Sequence, residues 1–387
     1  VKAVHLKFIF LCKDELVNSI SLKGLVYQRR ILMSDEELIT LTIDGKTVSA
    51  KKGMTVLQIA LENGIQIPHL CYHAKTGQAG LCRSCVVEIE GMTGLQTSCS
   101  VLAQKEMVVR SNTERVLEVR RMVVELLLSN GHHNCIACEK NGNCELQDAA
   151  YQLGIEIPSY PIEDKKMALD ESSPGIVYDP NKCIQCFRCV KACNNIVMNR
   201  VLEMAWRANH SVVACDNGVP MNESSCVQCG ECVQLCPVGA LTEKQAIGKG
   251  RSYDMKKVQT TCPYCGVGCQ IELHVKDNQI VRVYGVEGDT DNEGSLCVKG
   301  RFGNDFVNSP NRLTKPLLRK NGKLEEVEWE EAFDFTANKL LEIKDKYGPA
   351  SIAGLASAKC TNEENYLFQK FMRAVIKTNN VDHCARL

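Results

Sequence analysis

From Ile39 the chain alternates, with Ile39, Leu41 and Ile43 on one face and Thr40, Thr42 and Asp44 on the other. That is the period of a half-buried strand. Asp44-Gly45 signals a hairpin turn, and KTVSA is the returning strand. Thr55 is placed to cap a helix, VLQIALEN, that Gly64 stops. CVVEIEG (Cys85 to Gly91) reads as a further strand, so a small α+β unit ends near residue 112. The stretch from Thr113 to Gly131 predicts an amphipathic helix with a Thr cap and a Gly stop. Residues 158–180 hold four prolines and the charge run EDKK, which predicts a linker or ordered loop. Residues 181–245 predict short turns, and QIELHVKDNQIVRVYG a strand pair turning at Asp277-Asn278. Beyond Pro316, WEEAFDFTANKLLEIKDKYG predicts a helix, ASIAGLAS a buried strand and NEENYLFQKFMRAVIKT a second helix. Such alternation is the opening of an α/β domain.

A length of 387 residues predicts two to four domains. Lys plus Arg equals Asp plus Glu at 46 each, so the basic excess of a nucleic-acid binder is missing. The early apolar run LKFIFLC contains a Lys, falls far short of the ~20 residues of a membrane span and has no small-residue cleavage site. Arg29-Arg30 is followed by acidic residues and no apolar stretch, which argues against a twin-arginine signal. A cytoplasmic location is expected. MSDEELITLTIDGKTVSA reads as a natural beginning, so Met33 is the expected start and residues 1–32 a non-native extension.

Cysteine changes the picture. There are 23, enough to imply either disulfides in an oxidising compartment or thiolates holding metal. The spacings favour metal. Cys71, Cys82, Cys85 and Cys99 form C-x10-C-x2-C-x13-C around a Gly-bearing loop, which suits a 2Fe–2S cluster or a four-thiolate zinc site. Cys135, Cys138 and Cys144 form C-x2-C-x5-C and leave a 4Fe–4S cube one ligand short. His132 or His133 can complete it through a ring nitrogen, and zinc on the same ligands is the alternative.

The third group decides the class. Cys183, Cys186, Cys189 and Cys193, then Cys226, Cys229, Cys232 and Cys236, are two runs of C-x2-C-x2-C-x3-C, the signature of a two-cluster ferredoxin module. The fourth Cys of each run crosses to the other cube, giving Cys183, Cys186, Cys189 with Cys236, and Cys226, Cys229, Cys232 with Cys193. Asn194 stands where Pro usually follows, while Pro237 is present; this is expected to alter a turn and not ligation. Cys262, Cys265, Cys269 and Cys297 form a fourth group, with Gly266 and Gly268 letting backbone approach an inorganic core and Lys299 two residues beyond the last ligand. Nineteen of the 23 cysteines are thus assigned; Cys12, Cys215, Cys360 and Cys384 are expected to be ordinary thiols. No Ser-His-Asp arrangement, P-loop or G-x-G-x-x-G stands out. The chemistry is electron transfer.

The first three cysteine arrangements resemble the N-terminal half of iron-only hydrogenases and of the complex I iron–sulfur subunit. TCPYCGVGCQIEL and GSLCVKGRFGNDFVNSPNRLTKPLLRKNGKLEEVEWEEAFD resemble instead the start of molybdenum- or tungsten-dependent formate dehydrogenases of the bis-pterin family. The resemblance implies a multidomain α+β iron–sulfur protein. Its parts are a ferredoxin-like 2Fe–2S (β-grasp) domain over 33–112, a His/Cys-ligated 4Fe–4S domain over 113–158 and a two-cluster 4Fe–4S module over 159–250. A molybdopterin-oxidoreductase 4Fe–4S domain over 251–310 and the beginning of a pterin-binding α/β domain over 311–387 follow. It implies one 2Fe–2S and four 4Fe–4S clusters, with Mo- or W-bis(pterin guanine dinucleotide) in the full-length enzyme.

In this resemblance the clusters are a wire between the pterin site, where formate and carbon dioxide interconvert, and a partner: a flavin subunit using NAD(P), a ferredoxin or a hydrogenase subunit. Lys299 matches the relay lysine between proximal cluster and pterin. Three residues usually separate the ligating His from the first Cys; Gly131 occupies that position here, His132 lies one residue nearer and His133 two, and His132 is the expected ligand. The stretch matching VDHCARL is followed in such enzymes by the Mo or W ligand, Cys or selenocysteine. The implied reading is the N-terminal part of a selenoenzyme ending at a UGA codon after Leu387, with no catalytic metal ligand of its own and residues 311–387 exposing apolar faces.

Overall fold

A computed structural model describes residues 37–163 and 166–384; Met33, the segment 1–32 with Cys12, and Leu387 lie outside the described residues. The chain divides into two compact units. The first comprises the described residues up to Ile67 together with Val86–Val116. Strands β1 (Leu38–Ile43) and β2 (Lys46–Lys51) form the expected hairpin, with Leu41 opposite Val48. Its turn is left-handed at both Asp44 (φ 50°) and Gly45 (φ 80°), the form that matches strand twist. Helix α1 (Val56–Glu62) starts at Thr55, whose hydroxyl accepts from the Gln58 N–H while the Gln58 side chain accepts from the Thr55 N–H. β3 (Val86–Ile89), β4 (Gln96–Thr97) and β5 (Val108–Arg110) complete a mixed sheet in the order β2-β1-β5-β3-β4, with β1 and β5 parallel. Ile39, Leu41 and Ile43 are all buried, as the alternation requires, beside Val56, Leu57 and Ile59 of α1.

The second unit comprises Pro68–Cys85 and the residues from Leu117 on. It contains most of helix α2 (Glu114–Ser129), and α3 (Glu145–Gln152) follows. The expected loop over 158–180 contains a strand, β6 (Ile176–Tyr178). It pairs antiparallel with the distant β9 (Leu241–Glu243) and closes the cysteine-rich region between them. Within that region α4 (Arg188–Lys191) and α5 (Glu231–Gln234) each follow a cysteine loop. A hairpin of β7 (Leu202–Ala205) and β8 (Val212–Cys215) separates the two runs, where only turns were expected. One continuous core gathers Leu70, Val124, Leu146, Ile176, Val233 and Leu241 around the thiols of both runs.

Next, β10 (Lys256–Thr261), β11 (Gln270–Lys276) and β12 (Gln279–Gly285) form a three-stranded antiparallel sheet, one strand more than the expected pair. Asp277 and Asn278 turn it, both left-handed. Short α6 (Val298–Phe302) follows Cys297. Hairpin β13–β14 (Leu317–Lys320, Lys323–Glu326), helix α7 (Trp329–Tyr347), strand β15 (Gly354–Ala356), helix α8 (Asn362–Lys370) and strand β16 (Val381–His383) end the described residues. The strand in ASIAGLAS was expected to be buried. Only Gly354 is; Leu355 is 82% exposed, because β15 pairs with β16 alone and no layer covers its outer face.

Candidate metal centres

In the loop Pro68–Cys85, Cys71 is fully buried and its sulfur accepts from the Cys82 N–H at 3.5 Å. A hydrogen bond from the Cys82 thiol holds Cys71 down to about 5, against the opposing effect of burial, while Cys82 is pushed up correspondingly. The pair shares one proton and keeps one ready thiolate, the form that ligates metal. The Ser84 hydroxyl lies 3.1 Å from the Cys82 sulfur and accepts from the Leu70 N–H at 3.3 Å. Cys85 is buried; Cys99 is buried within the first unit.

One cavity of the second unit is lined by His133, Cys135, Cys138 and Cys144, with Lys182 and Gly239. A Cβ on Gly239 would collide with the Cys138 sulfur, so only glycine admits the thiol there. Burial pushes Cys135 up and Cys144 up to about 11. His132, the expected ligand, is exposed, and its backbone N–H donates to the Asn181 carbonyl at 2.9 Å. The structure therefore brings His133, not His132, to the three thiols. A ring nitrogen of His133, Nε2, lies 3.2 Å from the Leu127 carbonyl. Burial lowers its pKa and keeps the ring neutral, so Nε2–H donates there and Nδ1 is left with a free lone pair.

The two ferredoxin runs share one backbone. Gln185 (φ 54°) and Phe187 (φ 65°) are left-handed in the first; Gln228 (φ 56°) and Gly230 (φ 71°) occupy the same places in the second. Left-handed non-glycine residues cost of order 1 kcal/mol each and gather at functional loops. Here they turn N–H groups onto sulfur: Gln185 donates to Cys183 and Gln228 to Cys226, each at 3.4 Å, and Val201 to Cys193 at 3.3 Å. Burial first, then the charges of Cys186, Cys183 and Cys236, raises Cys189 far above an ordinary thiol. Burial first, then Cys229, Cys226 and Cys193, does the same to Cys232. Thiols so placed repel one another as anions and need a shared cation to neutralise them, and N–H···S contacts are what such a cluster takes from its protein. Asn194, standing where a proline was expected, lies in the middle of a widened helical turn (Ala192–Ile196) and donates to Glu203 at 2.9 Å and to the Leu202 carbonyl.

Cys262, Cys265, Cys269 and Cys297 form the last group. The Cys262 N–H donates to the Cys269 carbonyl at 2.8 Å, and burial first, then Cys262, Cys265 and Cys297, raises Cys269. Gly266 has no room for a Cβ because Asn362 of α8 sits 2.6 Å away, its side chain donating to the Gly266 carbonyl; Gly268 supplies a left-handed turn (φ 73°). Lys299 is exposed on α6. Among the leftover thiols Cys215 is buried and pushed up to about 12 by burial, Cys360 is half-buried and Cys384 exposed.

A single tetrahedral ion draws thiolates to ~2.3 Å. Among the described residues no three His, Cys, Asp or Glu side chains converge in that way. No disulfide joins any of the 22 described cysteines, and no helix of the described residues is long and apolar enough to cross a membrane. Sequence reading missed a set of buried charges beside the thiols: Arg188, Glu231, Glu243, Arg282 and Arg301. In sequence they look like ordinary solvated residues; the one available signal was that Arg188 and Glu231 each directly precede the third Cys of a run.

The fold and these thiol groups define an iron–sulfur oxidoreductase segment. Family profiles match along the chain: a 2Fe-2S iron-sulfur cluster binding domain (36–114) and an NADH-ubiquinone oxidoreductase-G iron-sulfur binding region (120–158). An NADH-quinone oxidoreductase subunit 3 ferredoxin-like domain (173–242), a molybdopterin oxidoreductase Fe4S4 domain (255–309) and molybdopterin oxidoreductase itself (312–387) follow. The chain thus carries iron–sulfur domains followed by the start of a molybdopterin oxidoreductase domain. It is 39% identical over 92% of its length to "Putative formate dehydrogenase YrhE" of Bacillus subtilis, covering 40% of that protein. It is 38% identical over 90% of its length to "Probable oxidoreductase YjgC" of the same organism, covering 39%. The chain therefore spans about two-fifths of the length of these relatives. A chain of the crystal structure of an NAD+-reducing NiFe-hydrogenase in the H2-reduced state matches with a TM-score of 0.52 and 34% identity, over 55% of this chain and 91% of that one.

Proposed function

We propose that this chain is the iron–sulfur electron-transfer portion of a formate dehydrogenase catalytic subunit. It passes electrons between a Mo- or W-bis(pterin guanine dinucleotide) site, where formate and carbon dioxide interconvert, and a partner redox subunit. The observation that carries the reading is the crossed grouping of the ferredoxin thiols immediately ahead of the Cys262 group and the start of a molybdopterin domain. The name of the Bacillus relative YrhE supports formate as substrate. The likeness to a chain of an NAD+-reducing hydrogenase supports a redox partner subunit, an NAD(P)-linked flavin subunit, a ferredoxin or a hydrogenase subunit being the candidates.

Cys71, Cys82, Cys85 and Cys99 would hold the 2Fe–2S cluster. His133, Cys135, Cys138 and Cys144 would hold one cube; Cys183, Cys186, Cys189 with Cys236, and Cys226, Cys229, Cys232 with Cys193, the next two; and Cys262, Cys265, Cys269 and Cys297 the last. Bound clusters supply one-electron transfer without proton chemistry. The chain's own residues aim N–H groups at sulfur and exclude water through the apolar core. Lys299, exposed two residues beyond Cys297, would be the relay between that group and the pterin. The location that this reading implies is the cytoplasm, where thiolates stay reduced and available to metal.

Anaerobically reconstituted protein should bind about eighteen irons, two for the 2Fe–2S site and four for each cube. Formate should reduce its clusters in the full-length enzyme, read by EPR. Half that iron, or stoichiometric zinc, overturns the cluster assignment. Full iron that NADH reduces and formate does not leaves an electron carrier in place of a formate dehydrogenase.

A further inference from the structure

Arg301 is completely buried, one of the largest side chains in the chain to be so. It lies on α6, four residues after Cys297, and its backbone N–H donates to the Cys297 carbonyl at 3.1 Å. Its side chain enters the second ferredoxin run. Nε donates to the Cys229 carbonyl at 2.9 Å and Nη1 to the Gln234 side chain at 2.8 Å. Gly230, next to Cys229, has no room for a Cβ because the stem of Arg301 and the ring of Phe302 press against it. The remaining nitrogen, Nη2, has no hydrogen-bond partner and faces the Glu231 carboxylate at 3.7 Å; Glu231 is 1% exposed and also takes the ammonium of Lys75.

A buried guanidinium is costly unless it is paired, and this one is spread over two cysteine loops. The arrangement has a counterpart on the other run. Arg188, at the place equivalent to Glu231, is 1% exposed and grips Glu145, the residue after Cys144, at 2.5 and 2.6 Å, and the His69 carbonyl at 2.9 Å. Each run is thus stitched to a neighbouring cysteine group by an arginine directed at the residues beside the ligands. Surface solvation does not explain either one.

We propose that Arg301 is the positioning residue of the electron-transfer junction between the Cys262, Cys265, Cys269, Cys297 site and the Cys193, Cys226, Cys229, Cys232 site. The inference rests on the reading of both groups as iron–sulfur sites. Its hydrogen bonds to one ligand's carbonyl through the backbone and to another's through Nε make a short, covalent and hydrogen-bonded path, Cys297 to Arg301 to Cys229. Tunnelling falls off exponentially with separation, so a residue that fixes this gap fixes the rate of crossing it. The step moves one electron from a reduced site to an oxidised one; no proton moves and no bond forms or breaks. Removing the guanidinium leaves Glu231 and Lys75 as a neutral pair, one positive charge fewer beside Cys229. A site that gains negative charge on reduction is then harder to reduce.

The test uses Arg301→Gln and Arg301→Lys in the full-length enzyme, with iron content, midpoint potentials and magnetic coupling between clusters read by EPR. Arg301→Gln should shift the reduced-to-oxidised ratio of the Cys226 cluster about tenfold toward oxidised at fixed potential, ~59 mV for one electron. It should weaken that cluster's coupling to its neighbour and slow electron passage, with the other potentials unmoved. Arg301→Lys keeps the charge and loses the Nε contact, so its potential should stay near wild type while coupling falls. Wild-type potentials and coupling in both variants, at full iron, overturn the proposal. So does an Arg301→Lys protein as shifted in potential as Arg301→Gln, which would make the role purely structural. A wild-type enzyme lacking the two EPR signals refutes the iron–sulfur reading itself, whatever the variants do.

Discussion

His133 Nε2 lies 3.6 Å from the point where a Cβ on Gly131 would stand. The same Cβ would collide with the Asn181 carbonyl, so position 131 accepts no side chain, and the ring of His133 fills the space beside it. In the families this chain resembles, the ligating His occupies position 131. Here the imidazole reaches the Cys135, Cys138, Cys144 cavity from two residues further on. His133→Ala should change the EPR signature and potential of one cluster and leave the others. His132→Ala should change none, because His132 is exposed. His133→Cys should retain the cluster at a lower potential, since a thiolate adds negative charge. If His132→Ala alone alters a cluster, the assignment of His133 is wrong.

Gly131→Ala puts a methyl against the Asn181 carbonyl, which is held by the His132 N–H. Overpacking of this kind costs ~1–3 kcal/mol. The expected result is a lower unfolding midpoint and weaker retention of the same cluster that His133→Ala affects. A melting temperature equal to wild type would show that the loop yields freely.

The contrast between His132 and His133 marks where the sequence was legible. Period-two alternation identified Ile39, Leu41 and Ile43 because one face of a strand is buried and the other is wet. Asp44-Gly45 and Asp277-Asn278 were legible because few residues accept two left-handed turn positions in succession. Cysteine runs were legible because ligand spacing is local. Choosing between adjacent histidines is not local: a carbonyl fifty residues away in the chain decides it. The strand Ile176–Tyr178 was hidden in a proline-rich stretch because its partner, Leu241–Glu243, comes after both cysteine runs. The β7–β8 hairpin lacks a turn dipeptide, and its loop passes through left-handed Trp206 and Ala208, which no propensity rule favours. Arg188, Glu231 and Arg301 were passed over because a charged residue is ordinarily solvated, and only packing reveals that these are not.

Arg282 and Glu243 are each 2% exposed, with Nε and Oε2 3.8 Å apart. Burial pushes the Glu243 carboxyl up, and Arg282 is the largest effect opposing it. Arg282→Met should destabilise by about 3–5 kcal/mol because it leaves a buried carboxylate unpaired. The double variant Arg282→Met, Glu243→Leu should recover most of that loss. Denaturant midpoints of the two proteins check the ordering; a double variant less stable than the single one would contradict it.

His274 is fully buried in β11, 2.8 Å from the Glu272 carboxylate and edge-on to Tyr284. Burial outweighs the carboxylate and lowers its pKa from 6.5 to about 4. As pH falls, the unfolded chain takes up this proton first. The stability His274 contributes is whole above pH 6.5, drains between pH 6.5 and about 4, and is gone below. Between pH 7.5 and 5 the wild type should lose about 2 kcal/mol more than His274→Gln. Parallel pH profiles for the two proteins in anaerobic guanidinium unfolding would refute a neutral His274.

Helix α7 runs for 19 residues without one buried residue. Trp329 and Phe333, one turn apart with ring centroids 5.6 Å from each other, are 55% and 61% exposed. Phe335, Leu341, Tyr347 and, on α8, Tyr366 and Leu367 are also exposed. An amphipathic helix normally folds because its apolar stripe leaves water, and this stripe has not left it. Apolar surface of this extent binds hydrophobic dyes and drives association. The polypeptide of residues 1–387 should therefore bind anilinonaphthalene sulfonate in its folded state and associate as concentration rises. Trp329→Ser with Phe333→Ser should reduce dye binding and association together, without altering iron content, since neither residue belongs to a cysteine group. The double variant should also lose little stability, because side chains already in water contribute little burial to the fold. Dye binding unchanged by the substitutions would place the accessible apolar surface elsewhere, and a large fall in melting temperature would mean that these rings are packed in solution.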